Sequence, residues 1–142
     1  ERAKEFWTTR VGFDVVQALG PRAPEGAAIG TADRIIDPGG DLNEHFADAD
    51  AVISTAGYNS ILELAITTTP ALLMAIARSY DDQAERAVTW GPLLGLTYRD
   101  DERPAAAAWL VRMLEHRLRR PAIDIGPSGA ALAARKILEL RR

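Results

Sequence analysis

Apolar and polar residues fall in short blocks along the chain, and the period of the pattern changes from block to block. Residues 2–19 place Trp7, Val11, Val15 and Leu19 four apart. That spacing predicts one apolar helical face, stopped by Gly20-Pro21. A Pro- and Gly-rich loop follows over 21–26. Ala27 to Ile29 and Arg34 to Ile36 are short strand candidates, the second closed by Asp37-Pro38-Gly39-Gly40. Asp41 to Ala47 fits a short helix with Asp41 as its cap. Residues 51–55 suit a strand and 60–66 a helix that breaks before Pro70. The run Ala71 to Ile76 is apolar throughout and suits a buried strand. Residues 81–90 suit a helix ended by Gly91-Pro92, and Gly95 to Tyr98 a strand. Pro104 to Arg117 suits a helix with proline in its first turn and an apolar face of Trp109, Leu110, Met113 and Leu114. A last helix is expected over Ser128 to Leu140, capped by Ser128, with Arg141-Arg142 at its negative end.

Strands alternating with helices imply parallel β-α-β units, hence an α/β fold with a doubly wound parallel sheet. Such sheets bind ligands beyond the carboxyl ends of their strands. Both Ser54–Ser60 and Ala77–Gln83 follow strands at that edge. The 142 residues suit one domain, 1–142, with one core. A hydrophobic share of 47% and a charged share of 26% describe a globular mix. The net charge of −3 gives no field that favours nucleic acid. The absence of cysteine excludes disulfides and thiolate chemistry, and it fits a reducing, cytoplasmic compartment. No apolar run approaches the ~20 residues that span a bilayer, and no signal-peptide pattern is found. His45 and His116 stand apart from any ligand-like cluster, so no metal site is expected. Arg112, Arg117, Arg119, Arg120 and Arg142 form a basic C-terminal third that reads first as a solvated face. Attraction to an acidic lipid surface, and thus a membrane-peripheral location, is the second reading. Trp7, Trp90 and Trp109 read as packing residues.

The chemistry concentrates in residues 50–87. The strand 51–55 runs into the turn Ala56-Gly57-Tyr58-Asn59 and then the helix that begins at Ser60. A helix N-terminus offers unpaired N–H groups and the positive end of the dipole, which together suit a phosphate. Glu63, one turn in, is a carboxylate placed to accept from ribose hydroxyls. The cluster Asp81-Asp82-Gln83 follows the next strand. Ser60-x-x-Glu63 also has the spacing of a capping box, in which both side chains serve the helix itself. Asn59 fits a turn residue, and Asp81-Asp82 fit charge stabilisation at a helix start. Asp37 and Asp41 flank a glycine loop at a strand end, where turn formation is the first reading.

The pattern Asp50-x-x-Ile53-Ser54-x-Ala56-Gly57-Tyr58-Asn59-Ser60-x-x-Glu63-Leu64, then Pro70-Ala71-Leu72-Leu73, then Asp81-Asp82-Gln83-x-x-Arg86-Ala87, resembles the C-terminal domain of glycosyltransferase family 28. The resemblance is strong over residues 34–98. It implies the Rossmann-like C-terminal half of a two-domain GT-B enzyme, metal-independent and inverting, that uses a UDP-sugar such as UDP-GlcNAc or a UDP-hexose. It places the donor's diphosphate against Gly57, Tyr58, Asn59 and Ser60, with Ala56 beside them, the ribose on Glu63, and the transferred sugar on Asp82 and Gln83, next to Asp81. Backbone near Ile35–Ile36 would hold the uracil edge. No cofactor is implied beyond the donor itself. The acceptor, lipid-linked or small, and the catalytic base belong to an N-terminal domain or partner subunit, so the chain alone is expected to bind donor and transfer nothing. The family's opening strand and Gly-rich loop are not recognisable in the sequence, so the first strand is expected to be missing with an N-terminal portion. Other departures are Thr67-Thr68-Thr69 where glycine is usual, Ala75 where proline often follows, and Ala56 in place of a first glycine. Epimerisation or hydrolysis of a UDP-sugar, and a separate subunit that needs a partner chain, remain as alternatives.

Overall fold

The structure, a computed structural model, describes residues 13–20, 23, 25–26, 32–77, 80–126 and 129–140. Strand β1, Val16–Ala18, pairs in parallel with β2, Arg34–Ile36, in the register Val16↔Arg34. Helix α1 spans Asn43–Asp48 and leads to β3, Val52–Thr55. Helix α2, Tyr58–Ala65, connects β3 to β4, Ala71–Met74. Helix α3, Gln83–Leu94, connects β4 to β5, Gly95–Thr97. A 3-10 turn at Asp100–Glu102 precedes α4, Arg103–His116, and α5 spans Gly129–Glu139.

The class is α/β and every strand pair is parallel, as the alternation of elements implied. The single doubly wound sheet is not what the strands form. Among the described residues they make a two-stranded sheet, β1-β2, and a three-stranded sheet in the order β3-β4-β5. Sequential order with right-handed crossovers puts both connecting helices on one face, and α2 and α3 do touch each other there. The main core lies beneath them: Phe46 from α1, Val52 from β3, Ile61 and Leu64 from α2, Ala71 and Leu73 from β4, and Ala87 and Leu94 from α3. Burying each large aliphatic side chain contributes about 1.5–3 kcal/mol. Central strand β4 is buried on both faces, which accounts for its unbroken apolar run. Edge strand β3 instead alternates, with Ile53 48% exposed.

The helix expected over 2–19 is corrected at its C-terminal end, where residues 16–18 are the strand β1. Burial alternates residue by residue from Phe13 to Gly20. Val15 and Leu19 share a side in either structure, because a spacing of four fits a period of 2 as well as one of 3.6. The parallel partner decides between them: Asp33 N–H donates to Val15 O at 2.8 Å and Leu19 N–H to Ile36 O at 2.9 Å. Trp7, Val11, the strand proposed at 27–29, Ser128 and Arg141-Arg142 lie outside the described residues. Asp41 is not the cap of α1. That place is Leu42, and the Asp41 carboxylate accepts from Asn43 N–H at 2.9 Å from one residue further back.

Gly91-Pro92 does not end α3, which continues to Leu94. The residue at 91 must be glycine for a packing reason. A Cβ there would lie 1.9 Å from Thr97 Oγ1 and 2.8 Å from the Thr97 backbone N, and Thr97 Oγ1 also donates to Ala87 O at 2.7 Å. The helix stops instead at Gly95, whose φ of 155° and contact with Ala71 O and the Trp109 ring leave no room for a side chain. On α4 the buried stripe is Ala106, Ala107, Leu110 and Met113, while Trp109 and Leu114 are half-buried. α5 buries none of its residues.

The basic C-terminal residues divide. Arg112 and Arg117 are exposed. Arg119, exposed, and Arg120, half-buried, bind the end of α2 and the segment before β4. Arg120 donates to Thr69 O at 2.9 Å and to Leu64 O, while its own N–H donates to Thr68 O at 2.9 Å. Arg119 donates to Ala49 O at 2.7 Å and to Thr69 Oγ1 at 3.0 Å. Arg120, half-buried, is thus a helix-end clasp, while Arg119 clasps the same segment from an exposed position. Among the described residues no helix is long and apolar enough to cross a membrane.

Gly91→Ala is expected to lower stability by about 1–3 kcal/mol through overpacking, even though the same change gains about 1 kcal/mol in an unobstructed helix. Urea denaturation measures this, and an unchanged or higher midpoint would contradict the packing account.

Candidate functional site

The β3–α2 and β4–α3 connections leave the same edge of the parallel sheet, because Thr55 pairs with Met74 at the carboxyl ends of both strands. Ala56 is fully buried and its N–H continues the ladder to Met74 O at 2.9 Å. Gly57 is the N-cap of α2, with extended backbone at φ −67° and ψ 145°, and no side chain caps the helix. Among the described residues no side-chain acceptor meets the first-turn N–H groups of α2 at the sheet edge. Neither conformation nor packing demands glycine at 57. Its φ is ordinary, and a Cβ would meet only Ser60 Oγ at 3.8 Å and Thr55 Oγ1 at 4.0 Å. Tyr58 is 66% exposed, Asn59 is exposed and Ser60 is half-buried.

The capping-box alternative does not hold. Ser60 is the third residue of α2 and Glu63 the sixth, so neither occupies the position that a box requires. Glu63 turns instead toward the loop between β2 and α1, where its carboxylate neighbours Asp41 and the Leu42 backbone N–H. Burial raises the Glu63 pKa most, the neighbouring Asp41 charge raises it further, and the Leu42 N–H opposes both. That loop is folded by its own aspartates, with Asp37 Oδ1 accepting from Gly39 N–H at 3.0 Å and Asp41 serving Asn43. It begins directly after Ile36, and its far end, Asp41–Leu42, is the part that approaches Glu63.

The third part is the start of α3. Asp82 is the N-cap, exposed, and makes no side-chain cap bond. Gln83 is 2% exposed. Its Oε1 accepts from Ile76 N–H at 3.2 Å and its Nε2 donates to Asp81 Oδ2 at 2.8 Å. Asp81 is also paired with Arg86. Asp81 and Gln83 thus shape the β4–α3 loop, and Asp82 is the member of the trio that presents its side chain to solvent. An open cleft on this side is lined by Ala75, Ile76, Ala77, Asp81, Asp82 and Glu85, and does not extend to Gly57–Ser60 or Glu63.

Arg86 was given no role by sequence reasoning, although it ends the Asp81-x-Gln83-x-x-Arg86 run. Its Nε donates to Ala56 O at 2.9 Å. The approach of Asp41 to Glu63, from 22 residues away in sequence, left no signal in the chain either. His45 and His116 are exposed, and among the described residues no group of His, Asp and Glu is arranged to hold a metal ion. Comparison with protein families, curated proteins and solved structures finds no match to this chain.

A raised carboxylate pKa means that the folded state holds its proton to higher pH than the unfolded chain does. The stability contributed by Glu63 is therefore greatest below about pH 4 and is lost as pH rises through the raised value. Glu63→Gln is expected to raise the denaturation midpoint at pH 7, with the gain vanishing near pH 3.5, since both forms are then neutral. Destabilisation by this variant at pH 7 would contradict the burial account.

Proposed function

We propose that this chain is the donor-binding domain of a metal-independent, inverting glycosyltransferase of GT-B architecture that uses a UDP-sugar. The observation that carries the reading is the uncapped N-terminus of α2, behind a glycine that neither φ nor packing requires, at the sheet edge shared with the start of α3. Backbone N–H groups of the Gly57–Ser60 turn would take the diphosphate, and absence of a Cβ at 57 lets the phosphate approach closely. The Glu63 carboxylate would accept from the ribose hydroxyls, an interaction for which an acceptor-only group is suited. The loop after Ile36 would border the base. Asp82 would meet the sugar, with Asp81 and Gln83 holding the loop that presents it.

Two physical points support this assignment. Burial and the Asp41 charge raise the Glu63 pKa, so an ionised carboxylate here costs folding stability that a ligand role would offset. The α2 dipole and fixed N–H groups can stabilise negative charge that develops on a departing diphosphate, and such preorganised donors replace what a metal would otherwise supply. The acceptor site and catalytic base would come from an N-terminal domain or partner subunit, so the chain by itself binds donor without transfer. The lack of cysteine fits a cytoplasmic setting for this chemistry.

Titration calorimetry with UDP is expected to show saturable binding that exceeds binding of ADP. Glu63→Ala should weaken it by about 1–3 kcal/mol through lost hydrogen bonds to a charged group. Equal affinity in both proteins would remove the ribose role, and equal affinity for UDP and ADP would remove the uridine assignment.

A further inference from the structure

Arg86 stands one turn beyond Gln83 on α3, and its side chain reaches back to a different connection. Nε donates to Ala56 O at 2.9 Å, and the terminal nitrogen of the same guanidinium pairs with Asp81 Oδ1. Asp81 Oδ2 accepts from Gln83 Nε2 at 2.8 Å, and Gln83 Oε1 accepts from Ile76 N–H at 3.2 Å. Ile76 lies two residues past Met74, whose carbonyl accepts from Ala56 N–H at 2.9 Å. The result is a closed circuit from the end of β3 through α3 to the end of β4 and back. Its members are shielded, with Arg86 and Asp81 side chains 24% and 30% exposed.

We propose that Arg86 is a positioning residue that aims the Gly57 N–H and couples the Gly57–Ser60 turn to the Asp81–Gln83 loop. Ala56 O and Gly57 N–H belong to one planar trans peptide and point in opposite directions. A guanidinium that holds the carbonyl inward therefore directs the N–H outward, toward the face assigned to diphosphate. The cation also polarises that peptide and strengthens its N–H as a donor. A planar fork can serve two acceptors in different directions, whereas a lysine ammonium presents a single point of charge. What the coupled segments bind rests on the donor reading above; the coupling itself does not.

The test is an amide ¹⁵N–¹H spectrum of the free chain, with circular dichroism to establish folding. Arg86→Met should shift the Gly57 amide proton upfield, as a donor that has lost its polarising partner, and should shift Ile76 and Gln83 as well. Asp81→Asn reduces the ion pair to a neutral contact and does not touch Gly57, yet it should move the Gly57 amide in the same direction. This second variant decides the matter if Arg86→Met does not fold. Gly57 unmoved in Asp81→Asn would overturn the coupling. With UDP in the calorimeter, Arg86→Met should bind about tenfold more weakly, because the Gly57 N–H becomes a weaker and less well aimed donor, and Arg86→Lys should recover part of that loss. Undiminished affinity in Arg86→Met would overturn the positioning role. A wild-type chain that does not bind UDP would remove the donor reading, while the amide shifts would still decide the coupling.

Discussion

The parallel pairing of β3 with β4 is the constraint from which the site follows. It fixes Thr55 opposite Met74, and so brings two loops that are 20 residues apart in sequence to one edge. Parallel strands demand a crossover, and α2 supplies it with its N-terminus at that edge. The same rule applied to β4 and β5 brings the start of α3 there as well. The apolar cost of this arrangement is met beneath the helices, where Leu64, Leu73 and Leu94 are fully buried. Above the strands, polar groups do the work, and their orientation is set by Ala56, Arg86, Asp81 and Gln83 rather than by the residues that face solvent.

The opposite end of the molecule is held by a different device. α2 is only eight residues long and its last carbonyls need donors. Arg120 and the backbone of Ile123 provide them, the latter at 2.7 Å to Ala65 O. Thr67 and Thr69, which depart from the glycine of the resembled pattern, are buried and bonded: Thr67 Oγ1 donates to Leu64 O at 2.8 Å and Thr69 Oγ1 to Phe46 O at 2.6 Å. The threonine run is thus a local solution to closing α2 before β4. With its C-terminus anchored, the helix presents a fixed N-terminus, and a fixed donor array is what gives electrostatic stabilisation its value.

The sequence was most legible where one short-range pattern had a single interpretation. β3, α2 and β4 follow from β-branched and apolar runs broken by Gly57 and Pro70, and these carry most of the candidate site. β1 was misread because Val15 and Leu19 fit two periods, and only the partner strand selects one. The end of α3 was misread because Gly91-Pro92 normally breaks a helix. Here the glycine accommodates Thr97, a contact that no local rule contains. The clasping roles of Arg119 and Arg120 left no local signal because their partners lie about 50 residues upstream. For Arg119 and Arg120 the hidden information was a side chain meeting a distant backbone group.

One measurement bears most directly on the central claim, a map of amide shifts in the chain as UDP is added. The account predicts saturable shifts concentrated at Gly57–Ser60, near Glu63 and the loop before Leu42, and at Asp82–Gln83, with α4 and α5 unchanged. Shifts confined to α4 or α5, or no saturable shift at the carboxyl edge of β3 and β4, would contradict it.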